Sequence, residues 1–189
     1  MPCRCPGGQP GDGPVARRAR CVGKQRRPAM EDTPAPKPAS ASRTVMTFLV
    51  FPEHANALGK AFGGQIMAWT DMCGGICSMR HSAGTTVTAA LDDLQFERPI
   101  LIGDMVTLEG RVNATFRTSM EVEVTVHGEN PATGARWRCV EALMTFVAID
   151  ELGRARGVPQ LKPESEDDAQ RIREATARRD ERLARRKPR

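Results

Sequence analysis

The chain has 189 residues, of which 40% are hydrophobic and 27% are charged, and its formal net charge is +5. This length fits one ordinary domain. The basic excess lies in residues 1–45 and 161–189, whereas residues 46–160 carry more acidic than basic side chains. The sequence also has no tyrosine. It therefore lacks the basic, aromatic surface typical of specific nucleic-acid binding, and we expect no specific nucleic-acid partner.

Membrane and metal signals are also weak in this sequence. No segment reaches the roughly 20 apolar residues that span a bilayer, and the N-terminal segment lacks the apolar region of a secretory signal. The six cysteines include no Cys-x-x-Cys pair, and Cys73 and Cys77 lie one helical turn apart with no histidine near them. We interpret the cysteines as free thiols in a reducing compartment, and we predict a cytoplasmic protein without a membrane span or metal site.

The N-terminal half contains a leader, a strand and a helix. Residues 1–42 are rich in Pro, Gly, Ala and Arg, which predicts a disordered basic leader. A strand pattern begins at Thr44 and ends before Pro52. Apolar side chains then occupy most faces of the segment from Gly64 to about His81, which predicts a long, nearly enclosed helix. The adjacent glycines 74 and 75 inside this helix indicate that a sheet presses closely against it.

The C-terminal half contains four strand patterns and a charged tail. The strand patterns are rich in Val and Thr and cover residues 85–96, 104–116, 118–129 and 135–150. One strand, one long helix and four further strands predict an α+β domain over 43–161, in which a curved antiparallel sheet of about five strands wraps the helix. The tail, 162–189, begins acidic and ends basic, which favours a helix that either frays in solvent or docks on a partner subunit.

A pair of glycines stands at the start of the predicted helix, and an aspartate lies two turns further on. The amide N–H groups of the first helical turn have no intrahelical acceptor, and glycine leaves them open to a ligand. They can therefore polarise a carbonyl oxygen, while Asp71 can reach a water molecule or the carbonyl carbon. We predict that Gly64, with Gly63 or Gln65, stabilises an oxyanion, and that Asn56 positions the water or the carbonyl.

This arrangement suits thioester hydrolysis. A thioester carbonyl is already activated, so its hydrolysis needs chiefly an oriented water or a carboxylate nucleophile, together with oxyanion stabilisation. Asp71 is a candidate for either role, general base or nucleophile, and the sequence leaves both open. Its apolar neighbours suggest a buried carboxylate, which is costly unless function retains it.

Five separate motifs carry a resemblance to a known family. They are His54-Ala-Asn56-x-x-Gly59-x-x-Phe62-Gly63-Gly64, then Asp71, then Gln95-Phe96-x-x-Pro99-Ile100-x-x-Gly103-Asp104, then Arg117-Thr118-Ser119-Met120, and Phe146-Val147-Ala148-Ile149-Asp150. In this order they resemble the hotdog-fold acyl-coenzyme A thioesterases, in particular their cytosolic long-chain acyl-CoA hydrolase branch, over about residues 44–160. His54 departs from the acidic residue that this family often has.

The resemblance implies a function and an assembly. It implies hydrolysis of acyl-CoA to free fatty acid and coenzyme A, by homodimers that pair their sheets edge to edge and often form a trimer of dimers. The active sites would lie at the dimer interface, where Asn56 and Asp71 of opposite subunits cooperate. Coenzyme A would be part of the substrate, so no separate cofactor is expected.

Two further expectations concern the substrate. The phosphates of coenzyme A require a cationic, hydrogen-bonding surface, and Arg117, Thr118 and Ser119 at the start of a strand are the best candidates. Together with Gly63 and Gln65 they form the predicted substrate-binding set. The alternative function is a non-catalytic acyl-CoA binding or sensing protein that uses the same pocket without turnover.

Overall fold

A computed structural model describes residues 34–185, and the predicted leader before residue 34 lies outside them. The helices are α1 (Gly63–Ser82) and α2 (Glu166–Arg185). The strands are β1 (Lys37–Pro38), β2 (Thr44–Leu49), β3 (Thr86–Phe96), β4 (Met105–Thr115), β5 (Ser119–Glu129), β6 (Arg136–Ala148) and β7 (Leu161–Lys162). Neither helix of this part of the chain is long and apolar enough to cross a membrane.

The main sheet has five antiparallel strands in the order β2-β4-β5-β6-β3, which confirms the predicted α+β architecture. Helix α1 lies on one face and contacts all five strands. Because side chains alternate across a strand, β4 directs Val106 and Leu108, and β5 directs Val122 and Val124, into the core between sheet and helix. β2 and β3 form the two edges of the sheet.

Helix α1 is less enclosed in one protomer than the sequence predicted. Trp69, Cys73 and Cys77 are buried against the sheet, but Met67 and Met72 are 44% and 49% exposed. The prediction of a nearly enclosed helix is wrong for a single chain, because the sheet covers only one side of it. The helix thus leaves part of its apolar side chains uncovered in a single protomer.

The two adjacent glycines of α1 differ in how closely the sheet approaches them. A Cβ atom at Gly74 would lie 3.0 Å from the Phe146 ring, whereas one at Gly75 would lie 3.9 Å from the same ring, at ordinary contact distance. The predicted close approach of a sheet is therefore confirmed at Gly74 only.

This difference predicts opposite effects on stability. Gly74→Ala should destabilise the protein by about 1–3 kcal/mol through overpacking, despite the better helix propensity of alanine. Gly75→Ala, the matched control, should be neutral or stabilise by up to about 1 kcal/mol. Urea denaturation of both variants would measure the difference, and equal effects would contradict this account of the helix–sheet contact.

The segment before β2 is ordered from residue 37, unlike the predicted leader of 1–42. Lys37–Pro38 pairs in parallel with Leu161–Lys162, and a single 3-10 turn follows at Ala39–Ser42. Ser42 is fully buried, and its Oγ lies 3.1 Å from Nδ1 of His81 at the end of α1. This polar segment is held in place by side-chain hydrogen bonds and by pairing with β7. The local amino-acid composition predicts neither interaction.

Helix α2 covers part of the outer face of the sheet of its own chain. Arg171 pairs with Glu123 at 2.8 Å, and Arg178 pairs with Glu121 at 2.7 Å; both glutamates are on β5. Ala175, between the two arginines, is fully buried. Helix α2 therefore docks on its own chain through this face. The sequence suggested two alternatives, a helix that frays in solvent or one that docks on a partner subunit, and neither describes this face. Outward-facing charges of the sheet, which the alternating strand pattern did not assign, provide the docking surface.

Candidate active site

The N-terminus of α1 presents two open amides. Phe62 is the residue before the helix, and its carbonyl oxygen accepts hydrogen bonds from the N–H groups of Gln65 and Ile66, at 2.9 and 3.2 Å. Within the described residues, the N–H groups of Gly63 and Gly64 have no backbone acceptor. The exposed Gly64 therefore keeps an amide without a backbone partner, while the amide of Gln65 is already used by the Phe62 carbonyl.

Asn56 is held in a tight turn just before this helix. Its side-chain Oδ1 accepts hydrogen bonds from the backbone N–H groups of Leu58 and Lys60, at 2.9 and 3.3 Å. The side-chain oxygen must face these two donors, so the exposed amide group, Nδ2, faces away from the turn. The Oδ1 atom of Asn56 thus holds the turn, whereas its Nδ2 group can donate a hydrogen bond to a ligand.

A cleft of about 340 Å3 joins the turn to the helix terminus. Asn56 and Gly63 line it together with Phe96, Pro99 and Cys139. A Cβ atom at Gly63 would lie 3.5 Å from the Phe96 ring, so α1 begins beside the end of β3. Burial raises the pKa of the Cys139 thiol to about 11, so this side chain remains a neutral thiol at physiological pH.

Asp71 lies two turns into α1 and outside this cleft. Its side chain is exposed in the single protomer, so the predicted burial of this carboxylate is wrong for one chain. Oδ1 accepts a hydrogen bond of 2.6 Å from the Thr88 hydroxyl on β3, two residues after that strand begins. Thr88 thus holds the carboxylate at the sheet edge. The sequence gives no signal for this contact, because only the helix–strand register brings the two residues together.

Arg117, Thr118 and Ser119 lie at the other end of the sheet from the Asn56 turn. Ser119, the first residue of β5, pairs with Val147 near the end of β6. By contrast, the Asn56 turn bridges to Leu101 near the start of β4. Within one chain the predicted site residues therefore form separate groups: Asn56 with Gly63, Gly64 and Gln65 at one end, and Asp71 and the Arg117 turn towards the other.

Solved structures share this arrangement of a long helix on an antiparallel sheet. A hexameric acyl-CoA thioesterase superposes with a TM-score of 0.77 at 40% identity, covering 80% of this chain and 97% of that chain. A Staphylococcus aureus acyl-CoA hydrolase in complex with butyryl coenzyme A, coenzyme A and coenzyme A disulfide has a TM-score of 0.73 at 31% identity, covering 79% of this chain and 91% of that one. Structures of the S. aureus protein also exist in which an aspartate, an asparagine or a threonine is replaced by alanine.

Sequence comparisons give the family. Residues 58–135 match the model of the thioesterase superfamily. An uncharacterized acyl-CoA thioester hydrolase of Bacillus subtilis is 36% identical over 82% of this chain and 91% of its own length. The human cytosolic acyl coenzyme A thioester hydrolase is 35% identical over 77% of this chain but only 39% of its own length. The chain belongs to the thioesterase superfamily.

Proposed function

We propose that this protein hydrolyses acyl-CoA thioesters to free fatty acid and coenzyme A. The observation that carries this proposal is the set formed by the open amide of Gly64, the outward donor of Asn56 and the Asp71 carboxylate held by Thr88. A thioester needs an oxyanion site and an activated water or a nucleophile, and this set offers both.

Spacing supports the choice of residues. In the S. aureus acyl-CoA hydrolase, the mutated aspartate follows the mutated asparagine by 15 residues, and the mutated threonine follows the aspartate by 17 residues. The same intervals separate Asn56, Asp71 and Thr88 in this chain. Agreement of both intervals is much stronger evidence for shared site residues than a match at one position, so we place all three residues in the proposed site.

The proposed active unit is a homodimer joined through β3. This strand is a sheet edge and exposes 44% of Val87, 40% of Leu91 and 50% of Phe96. Helix α1, which is bonded to β3 through Asp71 and Thr88, also exposes Met67 and Met72. An unpaired edge with an apolar flank favours strand pairing, and a two-fold axis would pair the two β3 strands in antiparallel orientation.

Antiparallel pairing would complete the site from two chains. Gly63 lies beside Phe96 at the end of β3, whereas Asp71 is bonded to Thr88 near its start. Pairing two such strands around a two-fold axis sets the end of one against the start of the other. Asn56 and Gly64 of one protomer would then face Asp71 of its partner, although one chain keeps them apart.

Each residue has a proposed role in this composite site. The N–H of Gly64 stabilises the oxyanion, with Gly63 beside it, and Nδ2 of Asn56 orients the thioester carbonyl or the water. Asp71 acts as general base on water, and direct attack by its carboxylate is the alternative. The hydroxyl of Thr88 fixes the carboxylate rotamer.

The same geometry suggests where coenzyme A binds. The first residues of β5 lie at the sheet end where β3 begins, because Ser119 pairs with Val147 and Thr86 pairs with Ala148. Arg117, Thr118 and Ser119 would thus accompany the Asp71 side of the composite site and take the pantetheine and phosphates. We assign the side chain of Gln65 to the opposite side, near the acyl carbonyl.

The relatives support a proposal for the assembly and the cellular location of this protein. The similar acyl-CoA thioesterase with 40% identity is a hexamer, which supports a trimer of the proposed dimers. The human relative is named as cytosolic, which supports a cytoplasmic location. The part of the chain that the structure describes has no group of three or more metal-ligating side chains, and the proposed chemistry uses neither a metal nor a separate cofactor.

The direct test is turnover on a panel of short, medium and long acyl-CoAs. The loss of thioester absorbance measures the rate of hydrolysis. This readout avoids thiol reagents, which would also react with the cysteines of the protein. We expect hydrolysis of at least one chain length and no activity on oxygen-ester analogues at comparable rates. Folded, oligomeric protein that binds acyl-CoA without turnover would replace this proposal by the non-catalytic binding function.

A further inference from the structure

Strand β3, which carries Thr88, is the least regular strand of the sheet. Its pairing with β6 skips one residue at Ala89, directly after Thr88, and a second at Asp92. Every other strand pair of the described sheet has at most one such shift. A bulge leaves a residue outside the ladder and bends the strand. The position of the Thr88 hydroxyl therefore depends on what holds the bulged segment.

Helix α2 reaches the second bulge from the outer face of the sheet. The guanidinium of Arg182, in the last turn of α2, forms an ion pair with the Asp92 carboxylate. Their side chains are only 27% and 26% exposed, so water screens this pair less than a fully exposed one. Among the side chains that the structure describes, it is the only ion pair between α2 and β3.

The preceding turns of α2 are anchored at the central strand of the sheet, β5, and at the turn before it. Glu121 is only 2% exposed and binds Arg178 one turn before Arg182, and Arg179 stacks on Phe116 with 4.4 Å between guanidinium and ring centre. These contacts hold the helix against β5 and the turn between β4 and β5. Arg182 therefore extends from a fixed helix to the strand whose backbone ladder is interrupted twice.

We propose that α2 acts as a strap for β3 and that Arg182 is a positioning residue for the Asp71–Thr88 pair. The inference rests on the proposed function, because Asp71 is taken as the catalytic carboxylate. Arg182 touches no substrate: it holds Asp92, which restrains the bulged segment, whose first bulge adjoins Thr88. Loss of the ion pair would let Thr88 shift and would weaken the alignment of Asp71 without removing either side chain.

The test uses the full-length protein with Arg182→Gln, Asp92→Asn, the double variant and the charge swap Arg182→Asp/Asp92→Arg. We expect each single variant to lower kcat by about three- to tenfold, with KM changed by less than about twofold. The double variant should lose no more than a single one, because both remove the same contact. The charge swap should recover much of the lost kcat.

Arg185→Gln is the matched control. Arg185 lies three residues further along α2, is 83% exposed and, among the described residues, pairs only with Glu181 of the same helix. Its substitution should leave kcat unchanged, so it separates the strap contact from a general loss of helix charge. Additive losses in the double variant, or equal losses in Arg185→Gln, would overturn the proposal.

Hydrogen–deuterium exchange separates this proposal from the proposed function. Amides of residues 86–96 should exchange faster in Arg182→Gln than in wild type or Arg185→Gln, while amides of β5 should be unchanged. If wild-type protein hydrolyses no acyl-CoA, the proposed function fails, but faster exchange in β3 would still support the strap. Unchanged exchange in β3 overturns the strap whatever the activity.

Discussion

Asp71→Asn should lower kcat for acyl-CoA hydrolysis by about 10²- to 10⁴-fold, the range typical of a lost general base. The amide is almost isosteric with the carboxylate, and its oxygen can still accept the 2.6 Å hydrogen bond from Thr88. Helix α1 and the sheet edge should therefore remain intact. Steady-state kinetics on the best substrate of the panel would measure the loss, and circular dichroism would check the fold.

Met79→Leu is a suitable control for this experiment. Met79 lies two turns further along α1 and is 42% exposed, so the substitution preserves an apolar side chain and leaves the carboxylate in place. We expect it to retain most of the wild-type kcat. An Asp71→Asn variant with turnover within about twofold of wild type would remove Asp71 from the catalytic set.

The same reaction can reveal a nucleophilic role of Asp71. In a single turnover in ¹⁸O-labelled water with enzyme in excess, a general base directs all label into the fatty acid. A nucleophilic carboxylate forms a mixed anhydride, and attack of water on its aspartyl carbonyl leaves label on Asp71. Mass spectrometry of the peptide that contains Asp71 would detect this label. We expect an unlabelled peptide.

The sequence predicted the fold well because the fold depends on local patterns. Strand periodicity located all five strands of the main sheet, within two residues at most ends, and apolar spacing located α1. The glycine at position 74 also indicated the close helix–sheet approach. These features are properties of consecutive residues, which hydrophobic periodicity reports directly.

Features that depend on distant parts of the chain were harder to predict. The order of 37–42 depends on pairing with residues 161–162, and the docking of α2 depends on charges of β5 more than 40 residues away. Thr88 was missed for the same reason, since a threonine in a strand has no distinctive pattern. The exposure of Asp71 was also missed, because apolar neighbours on a helix do not show which side the sheet covers.

The division of the site between two chains leads to the second prediction. Asn56→Asp keeps an oxygen for the amides of Leu58 and Lys60, so the turn should persist, but it removes the outward N–H donor. We expect this variant to be folded and nearly inactive, like Asp71→Asn. Asn56→Ala would remove the turn contact as well, and so it tests stability and catalysis together.

Mixing the two inactive variants should restore activity if Asn56 and Asp71 act across the dimer interface. Random reassociation of equal amounts gives half heterodimers, and each of these has one site with both substitutions and one site with neither. One site in four is then intact, so the mixture should reach about a quarter of wild-type turnover. Subunit exchange can be checked with differently tagged chains. If both residues acted within one chain, every site would keep one substitution, and the mixture would stay as inactive as its components.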